Sequence, residues 1–199
     1  MRLISHSSLA APIVALAMLV SANTVSAQKA ETIEGGRTTI TFADGVIPAL
    51  GSLGITLGTV NPSGLDNGVA SFPVTGGAID LDTGAGQVLH SGGLTITAGN
   101  SQVIVQSFIV DITSGIPVIT GLVSVNGSVL GRLPIFDLRM DDGLALPLTP
   151  QKIGQFTLDG VDLSLDSAAA NAINSALNTD ALSGGIEIGS ACFMVILPV

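Results

Sequence analysis

Apolar and polar residues alternate along most of the chain, in short runs that glycine-rich turns separate. Because successive side chains of a β-strand point to opposite faces, this period of two is typical of half-buried strands. The alternation is densest in residues 76–138, where four or five runs follow one another. We therefore predict an all-β domain in which further strands are added to this meander.

The predicted strands are residues 38–42, 55–57, 69–74, 79–81, 87–90, 94–97, 102–113, 118–125, 132–140, 156–158, 161–165 and 186–197. Asn126-Gly127 is the strongest hairpin signal, and Gly99-Asn100 is a second one. Gly76-Gly77 is predicted to be a turn, and residues 156–165 to be a last hairpin about Asp159-Gly160. Pro73 places its strand at a sheet edge, because proline cannot donate a ladder hydrogen bond.

One segment, residues 166–178, breaks the alternation. Ala169, Ile173 and Leu177 share one helical stripe, and the carboxylate of Asp166 can cap the first turn. The pattern thus predicts an antiparallel β-sandwich, immunoglobulin-like or related, with one short α-helix in the C-terminal half. The last strand is apolar on both faces, which is typical of a central strand.

The N-terminus has the pattern of a secretory signal peptide. Arg2 precedes an apolar stretch at residues 9–20, and Val25-Ser26-Ala27 is a small-x-small cleavage site. Pro12 interrupts a stretch that is already shorter than the roughly 18 apolar residues of a membrane span. We predict a signal peptide at residues 1–27, a flexible segment at 28–37 and one β-sandwich domain at 38–199. The protein is then secreted, periplasmic or on the cell surface, with no transmembrane span after cleavage.

Composition narrows the choice of partners. The formal net charge is −9, and the few Lys and Arg residues do not cluster. Nucleic acid is therefore not expected as a partner, because phosphate binding needs clustered bases; an envelope or extracellular partner remains open. Cys192 stands alone, so it is either a buried thiol, which its apolar surroundings favour, or half of a disulfide between chains.

His90 is the one residue singled out as a candidate ligand-binding site. It is the only histidine beyond the predicted signal peptide and lies at a predicted strand end. It could be a ligand or a general base, but a hydrogen-bonded histidine at a turn is the simpler interpretation. No G-x-S-x-G motif accompanies it, and His90 with Cys192 is too few ligands for zinc. Asp80 and Asp82 resemble the start of a calcium loop, but the later glutamate is absent. No catalytic residue and no metal site are predicted.

Three segments together resemble a known family: residues 86–94, which include His90-Ser91-Gly92-Gly93, the strand at 103–111, and residues 131–137. They resemble the HtaA-like domain of secreted bacterial proteins, and residues 171–189 look like the end of small exported relatives. The resemblance implies a β-rich surface or secreted domain. Its best-known members bind haem through an axial tyrosine supported by a histidine. His90 matches the histidine motif, but the chain has no tyrosine.

We therefore predict a non-enzymatic binding or structural module of the cell envelope that needs no cofactor. One alternative is a carrier of haem or another apolar small ligand that uses His90. A second is a hydrolase with His90 as general base. Self-assembly through the edges of the weakly charged strands is also open.

Overall fold

The computed structural model describes residues 30–140, 143 and 145–199. The predicted signal peptide and the acidic pair Asp141-Asp142 lie outside the described residues. The described elements are β1 (Ala30–Ile33), β2 (Gly35–Phe42), α1 (Val46–Ser52), β3 (Ile55–Val60), β4 (Gly64–Asp66), β5 (Val69–Asp80), β6 (Gly86–His90), β7 (Gly93–Ala98), β8 (Ser101–Asp111), β9 (Val118–Val125), β10 (Ser128–Arg139), β11 (Gln155–Leu165), α2 (Ser167–Leu177) and β12 (Glu187–Ile196).

Eight of the strands form a closed antiparallel ring. Its order is β5, β2, β12, β11, β10, β9, β8 and β6, and β6 completes it by pairing with both β8 and β5. The all-β antiparallel prediction is confirmed. The sandwich prediction is corrected, because this pairing joins all the strands into one closed sheet rather than two separate layers. A ring of eight strands is just wide enough for side chains, or one small ligand, to fill it.

The ring forks where β6 continues into β7. β6 pairs with β5, whereas β7 pairs with β3, and both lie along β8. Beyond the point where β6 leaves β5, β4 pairs with β5 instead. At this end of the ring, β3 and β4 therefore lie between β7 and β5. The hydrogen bond from Ser91 N to the carbonyl oxygen of Pro73 marks the fork. His90 is the last residue of β6 before it.

The structure corrects two predictions about β5. The strand runs through Gly76-Gly77, which is not a turn. A Cβ at Gly77 would collide with the carbonyl oxygen of Gln87 in β6, so the glycine here permits close strand approach. β5 is also not an edge strand, since it has partners on both sides. Pro73 is tolerated because its nitrogen, which cannot donate a hydrogen bond, faces the fork. The pairs of β5 with β4 end at Ser71, and the pairs of β5 with β6 begin at Val74, so Pro73 lies in the gap between them.

Three other predictions are also corrected. Residues 30–37 are not flexible: β1 and the start of β2 pair in continuous register with β5. Residues 155–165 form the single strand β11, with a bulge between Leu158 and Val161, rather than a hairpin. The chain has a second helix, α1, that the alternation did not predict. Strand β12 is central, between β11 and β2, as its composition predicted.

The predicted helix is confirmed as α2. Asp166 Oδ1 accepts a hydrogen bond from Ala168 N at 2.6 Å, which caps the first turn. At the other end Asn178 adopts a left-handed conformation with φ 53° and closes the helix. Ala169, Ala170 and Ile173 are buried and join the core inside the ring. None of the described helices is long and apolar enough to cross a membrane.

Candidate functional site: an apolar cavity under two helices

His90 is a core residue rather than an accessible side chain. It is 6% exposed, and its Nε2 lies 2.7 Å from the hydroxyl of Thr38, itself 3% exposed. Its Nδ1 is buried and has no hydrogen-bond partner. Burial lowers the pKa of His90 to about 4, although the backbone groups of Phe108 and Val88 act in the opposite direction. The ring is therefore neutral at physiological pH.

The space beside the His90 ring is very small. A void of about 10 Å³ lies among His90, Thr38, Phe72, Phe108 and Val110. That is the lower limit for a single water molecule and leaves no room for a porphyrin. Haem ligation in the resembled family's manner does not fit these residues, because the tyrosine is absent and the histidine is enclosed. A role for His90 in ligand binding stays a prediction that requires the ring to leave Thr38.

The same enclosure bears on the hydrolase alternative. A general base needs a nucleophile and an orienting acid within hydrogen-bond reach, and a path for the substrate. The one hydroxyl bonded to His90 belongs to the buried Thr38, and no carboxylate bonds Nδ1. Within the described part of the chain, His90 is thus not part of an assembled acid–base relay.

A much larger space lies at the end of the ring that carries the helices. We call it the helix-side cavity. Its volume is about 430 Å³, and it is lined by Val46, Ala49 and Leu50 of α1, Ile173 of α2, and Leu94 and Phe108 of the sheet. Ligand cavities in proteins commonly range from about 300 to 1,000 Å³. The size and the apolar lining make this cavity the candidate site for a small molecule.

Helix α1 is packed loosely over this cavity. None of its seven residues is buried, and no side chain caps its N-terminus. Val46, Ala49 and Leu50 line the cavity, Val46 and Ile47 pack against the edge of the core, and Leu53 just after the helix remains 48% exposed. Gly45 precedes the helix and Gly54, with φ +71°, follows it, so both flanking positions are conformationally free. The helix therefore covers the cavity with half-buried and exposed residues rather than with buried ones.

Helix α2 and the loop after it form the opposite wall. Asn174 holds that loop by two hydrogen bonds: its Nδ2 donates to the carbonyl oxygen of Leu182 at 2.7 Å, and its Oδ1 accepts from Leu182 N at 3.2 Å. This fixes Leu182 against the cavity. Glu187, which is exposed, is the charged side chain among the described residues that line it. The sequence pattern missed this site because its lining comes from strands and helices far apart in the chain.

The other candidates serve structural purposes. Asp80 is 5% exposed. Its Oδ1 accepts from Thr83 N and Asp82 N, and the bond from Thr83 is the main cause of its lowered pKa. Burial, followed by nearby Asp159, raises the pKa of half-buried Cys192. No group of three or more potential metal-ligating His, Cys, Asp or Glu side chains occurs within the described ranges.

Comparison with known proteins gives a match in structure but none in sequence. No family profile and no curated protein sequence matches the chain. The C-terminal domain of HtaA from Corynebacterium glutamicum superposes with a TM-score of 0.65 at 15% identity, over 84% of this chain and 99% of that one. The N-terminal domain of the same protein gives 0.62 at 9% identity, with the same coverage.

A third solved structure has a TM-score of 0.55 at 15% identity, over 78% of this chain and 94% of that one. It is a domain-swapped dimer of a histidine-to-alanine variant of the HtaA C-terminal domain. These similarities confirm the predicted HtaA-like resemblance at the level of fold. At such low identity, they establish the fold alone.

Proposed function

We propose that this protein is a non-enzymatic binding module of the cell envelope or extracellular space that carries an apolar small molecule in the helix-side cavity. The observation that carries the proposal is α1, a helix with no buried residue, of which Val46, Ala49 and Leu50 line a cavity of about 430 Å³. An unfilled apolar cavity lacks the dispersion contacts of a packed interior, and an apolar ligand supplies them.

The lining indicates the class of ligand. Its aliphatic and aromatic side chains favour a molecule that makes few hydrogen bonds, and Glu187 disfavours an anionic group close to it. Burial of apolar surface would provide most of the affinity. Because the two glycines that flank α1 allow it to move as a unit, we propose that the ligand enters between α1 and the loop that contains Leu182.

Haem is the second candidate ligand, supported by the HtaA-like fold over 84% of the chain. The missing tyrosine and the enclosed His90 count against it. Mixing the protein with haemin tests the candidate through the Soret band. A band that His90→Ala abolishes would support haem ligation through His90 and require the ring to leave the core. Absence of a band excludes haem and leaves the apolar carrier unaffected.

The apolar-carrier proposal can be tested with N-phenyl-1-naphthylamine, a neutral probe whose fluorescence rises in apolar surroundings. We expect saturable binding to the wild-type protein. Ala49→Trp fills the cavity from α1 and should weaken binding at least tenfold. Because the chain has no Trp and no Tyr, the introduced indole also reports occupancy of the cavity without background.

Ser52→Trp is the matched control, since it adds the same side chain to the same helix at a position that does not line the cavity. This variant should bind the probe within twofold of wild type. Equal affinity in Ala49→Trp and wild type, with both proteins folded by circular dichroism, would exclude the helix-side cavity as the binding site.

A further inference from the structure

A second cavity lies at the opposite end of the closed ring. We call it the strand-end cavity. Its volume is about 530 Å³, and its inner wall is formed by Ile79, Val88, Val110, Phe156, Val161, Phe193 and Val195. Five strands of the ring, β5, β6, β8, β11 and β12, contribute these residues, which are all buried. Strand β12 shows the separation of the two cavities, because Glu187 lines the helix-side one and Val195 lines this one.

The size of the inward side chains explains the cavity. Around the middle of the ring the inward positions include Phe72, Phe108 and Phe136, which leave a void of only about 10 Å³. Towards the strand end, four of the seven buried residues that line the cavity are valines. A ring of eight strands encloses room for larger side chains, so the valines leave space that the described residues do not fill. The phenylalanine layer separates this space from the helix-side cavity.

Among the described residues that line the strand-end cavity, the polar side chains are those of Thr83, Thr113 and Arg139, and all three residues are exposed. Thr113 Oγ1 already donates to Asp111 Oδ1 at 2.6 Å, and Thr83 Oγ1 accepts from Ala85 N at 3.3 Å. Neither of the two buried polar atoms without a partner in the described residues, Ser63 Oγ and His90 Nδ1, belongs to this cavity. The inner wall therefore offers no hydrogen bond to a ligand.

We infer that the strand-end cavity is a separate binding site for the alkyl chain of a single-chain amphiphile, whose polar head stays in solvent at the threonine rim. A buried polar group without a partner is costly, so the enclosed part of the ligand is hydrocarbon. The site is independent of the proposed carrier site, because the phenylalanine layer lies between them. Chain length therefore controls affinity, and the head group has a smaller effect.

Isoleucine methyl groups allow a test in the unaltered protein. Ile79 and Ile112 line the strand-end cavity, whereas Ile96 and Ile173 line the helix-side one. In a methyl-resolved NMR titration with 1-dodecanol, we expect the first pair to shift. Shifts confined to Ile96 and Ile173 would overturn this inference and leave the proposed carrier site intact, and no methyl shifts at all would overturn it as well.

Two matched variants sharpen the test. Ala85→Trp fills the strand-end cavity and should weaken 1-dodecanol binding there at least tenfold, whereas Ala49→Trp at the other end should leave it within twofold. A comparison of ligands tests the chemistry of the site. 1-Octanol should bind more than tenfold more weakly than 1-dodecanol, because each buried methylene contributes to affinity. Dodecanoate should bind within tenfold of the alcohol. A head-group effect larger than the chain-length effect would contradict a hydrocarbon site, and the methyl titration decides if Ala85→Trp does not fold.

Discussion

The middle of the closed ring and its two ends are built differently. In the middle, the rings of Phe72 and Phe108 pack edge to face, with centroids 5.2 Å apart and an interplanar angle of 79°. Little free space remains there. The ends contain cavities of about 430 and 530 Å³ behind aliphatic walls. From this difference we expect substitutions in the middle of the ring to affect mainly stability, whereas the ends hold the two proposed binding sites.

The polar groups follow the same division. In the described residues, the middle contains the buried hydrogen-bonded pair His90 and Thr38, whereas Arg139 and Glu187, which are charged, line the cavities at the two ends. A buried histidine with one unpaired nitrogen is destabilising by itself, because it has lost its hydration. Substitutions in the middle should therefore change stability, and substitutions at the ends should change binding.

The largest effect is expected from Phe72→Ala. Phe72 is 2% exposed and contacts the void at the centre of the ring. Removing a buried phenyl ring costs about 3–5 kcal/mol of unfolding free energy. Leu53→Ala on α1 is the comparison at the end of the ring, and because Leu53 is exposed it should change stability by about 0.5 kcal/mol or less. Denaturant unfolding of both variants measures the contrast, and equal losses would show that the two regions do not differ.

The second prediction concerns pH. The folded protein lowers the pKa of His90 from 6.5 to about 4, so the unfolded chain takes up a proton at a higher pH than the folded chain. The contribution of the neutral His90 ring to the unfolding free energy is fully present above pH 6.5, and it is lost as the pH falls from 6.5 to 4. The loss over this window is about 3 kcal/mol. Unfolding free energies at pH 7.5, 5.5 and 4 measure it.

His90→Leu is the control for the pH prediction, since leucine removes the titrating group and fills a similar volume. Its stability should be nearly constant across the same window. Asp80 and Asp111 have lowered pKa values because they accept hydrogen bonds, chiefly from Thr83 and Thr113 respectively. The contributions of these two aspartates to stability are lost only when the pH falls below about 4, the usual pKa range of aspartate. An unchanged pH dependence in His90→Leu would assign the effect to other groups.

Thr38→Val should have an intermediate effect. Valine has nearly the same shape as threonine, but it removes the hydroxyl that lies 2.7 Å from Nε2 of His90. The buried ring would then lose its side-chain hydrogen bond, at a cost of about 1–3 kcal/mol. In the double variant Thr38→Val with His90→Leu, the loss should be smaller than the sum of the two single losses. Additive losses would show that the two side chains do not interact.

Local signals in the sequence predicted many elements of the fold correctly. Asn126-Gly127 forms the β9–β10 hairpin, and Gly99-Asn100 connects β7 to β8. Asp166 caps α2 as its chemistry required. These features depend on a few neighbouring residues, so they can be predicted from the local sequence.

Other features depend on distant contacts and could not be predicted. Strict alternation along β8 would put Ile104 on the same face as Phe108, but a bulge at Ser107, with φ +53°, places Val105 and Phe108 inside instead. Gly77 looked like a turn because glycine permits both turns and close strand approach. The sequence did single out His90, but its burial follows from the fork between β6 and β7, which no local pattern encodes.

The smallest effect is expected at the helix-side end. Asp166→Ala removes the carboxylate that accepts from Ala168 N, and the loss of such a cap costs about 1 kcal/mol. Because α2 buries Ala169, Ala170 and Ile173 in the core, this loss should appear in the global unfolding free energy. Asp180→Ala, an exposed position beyond the helix, should change it by about 0.5 kcal/mol or less. If Asp166→Ala instead accelerates hydrogen exchange in α2 without changing global stability, the helix opens independently of the ring. The helix-side cavity would then have two movable walls, α1 and α2, rather than one.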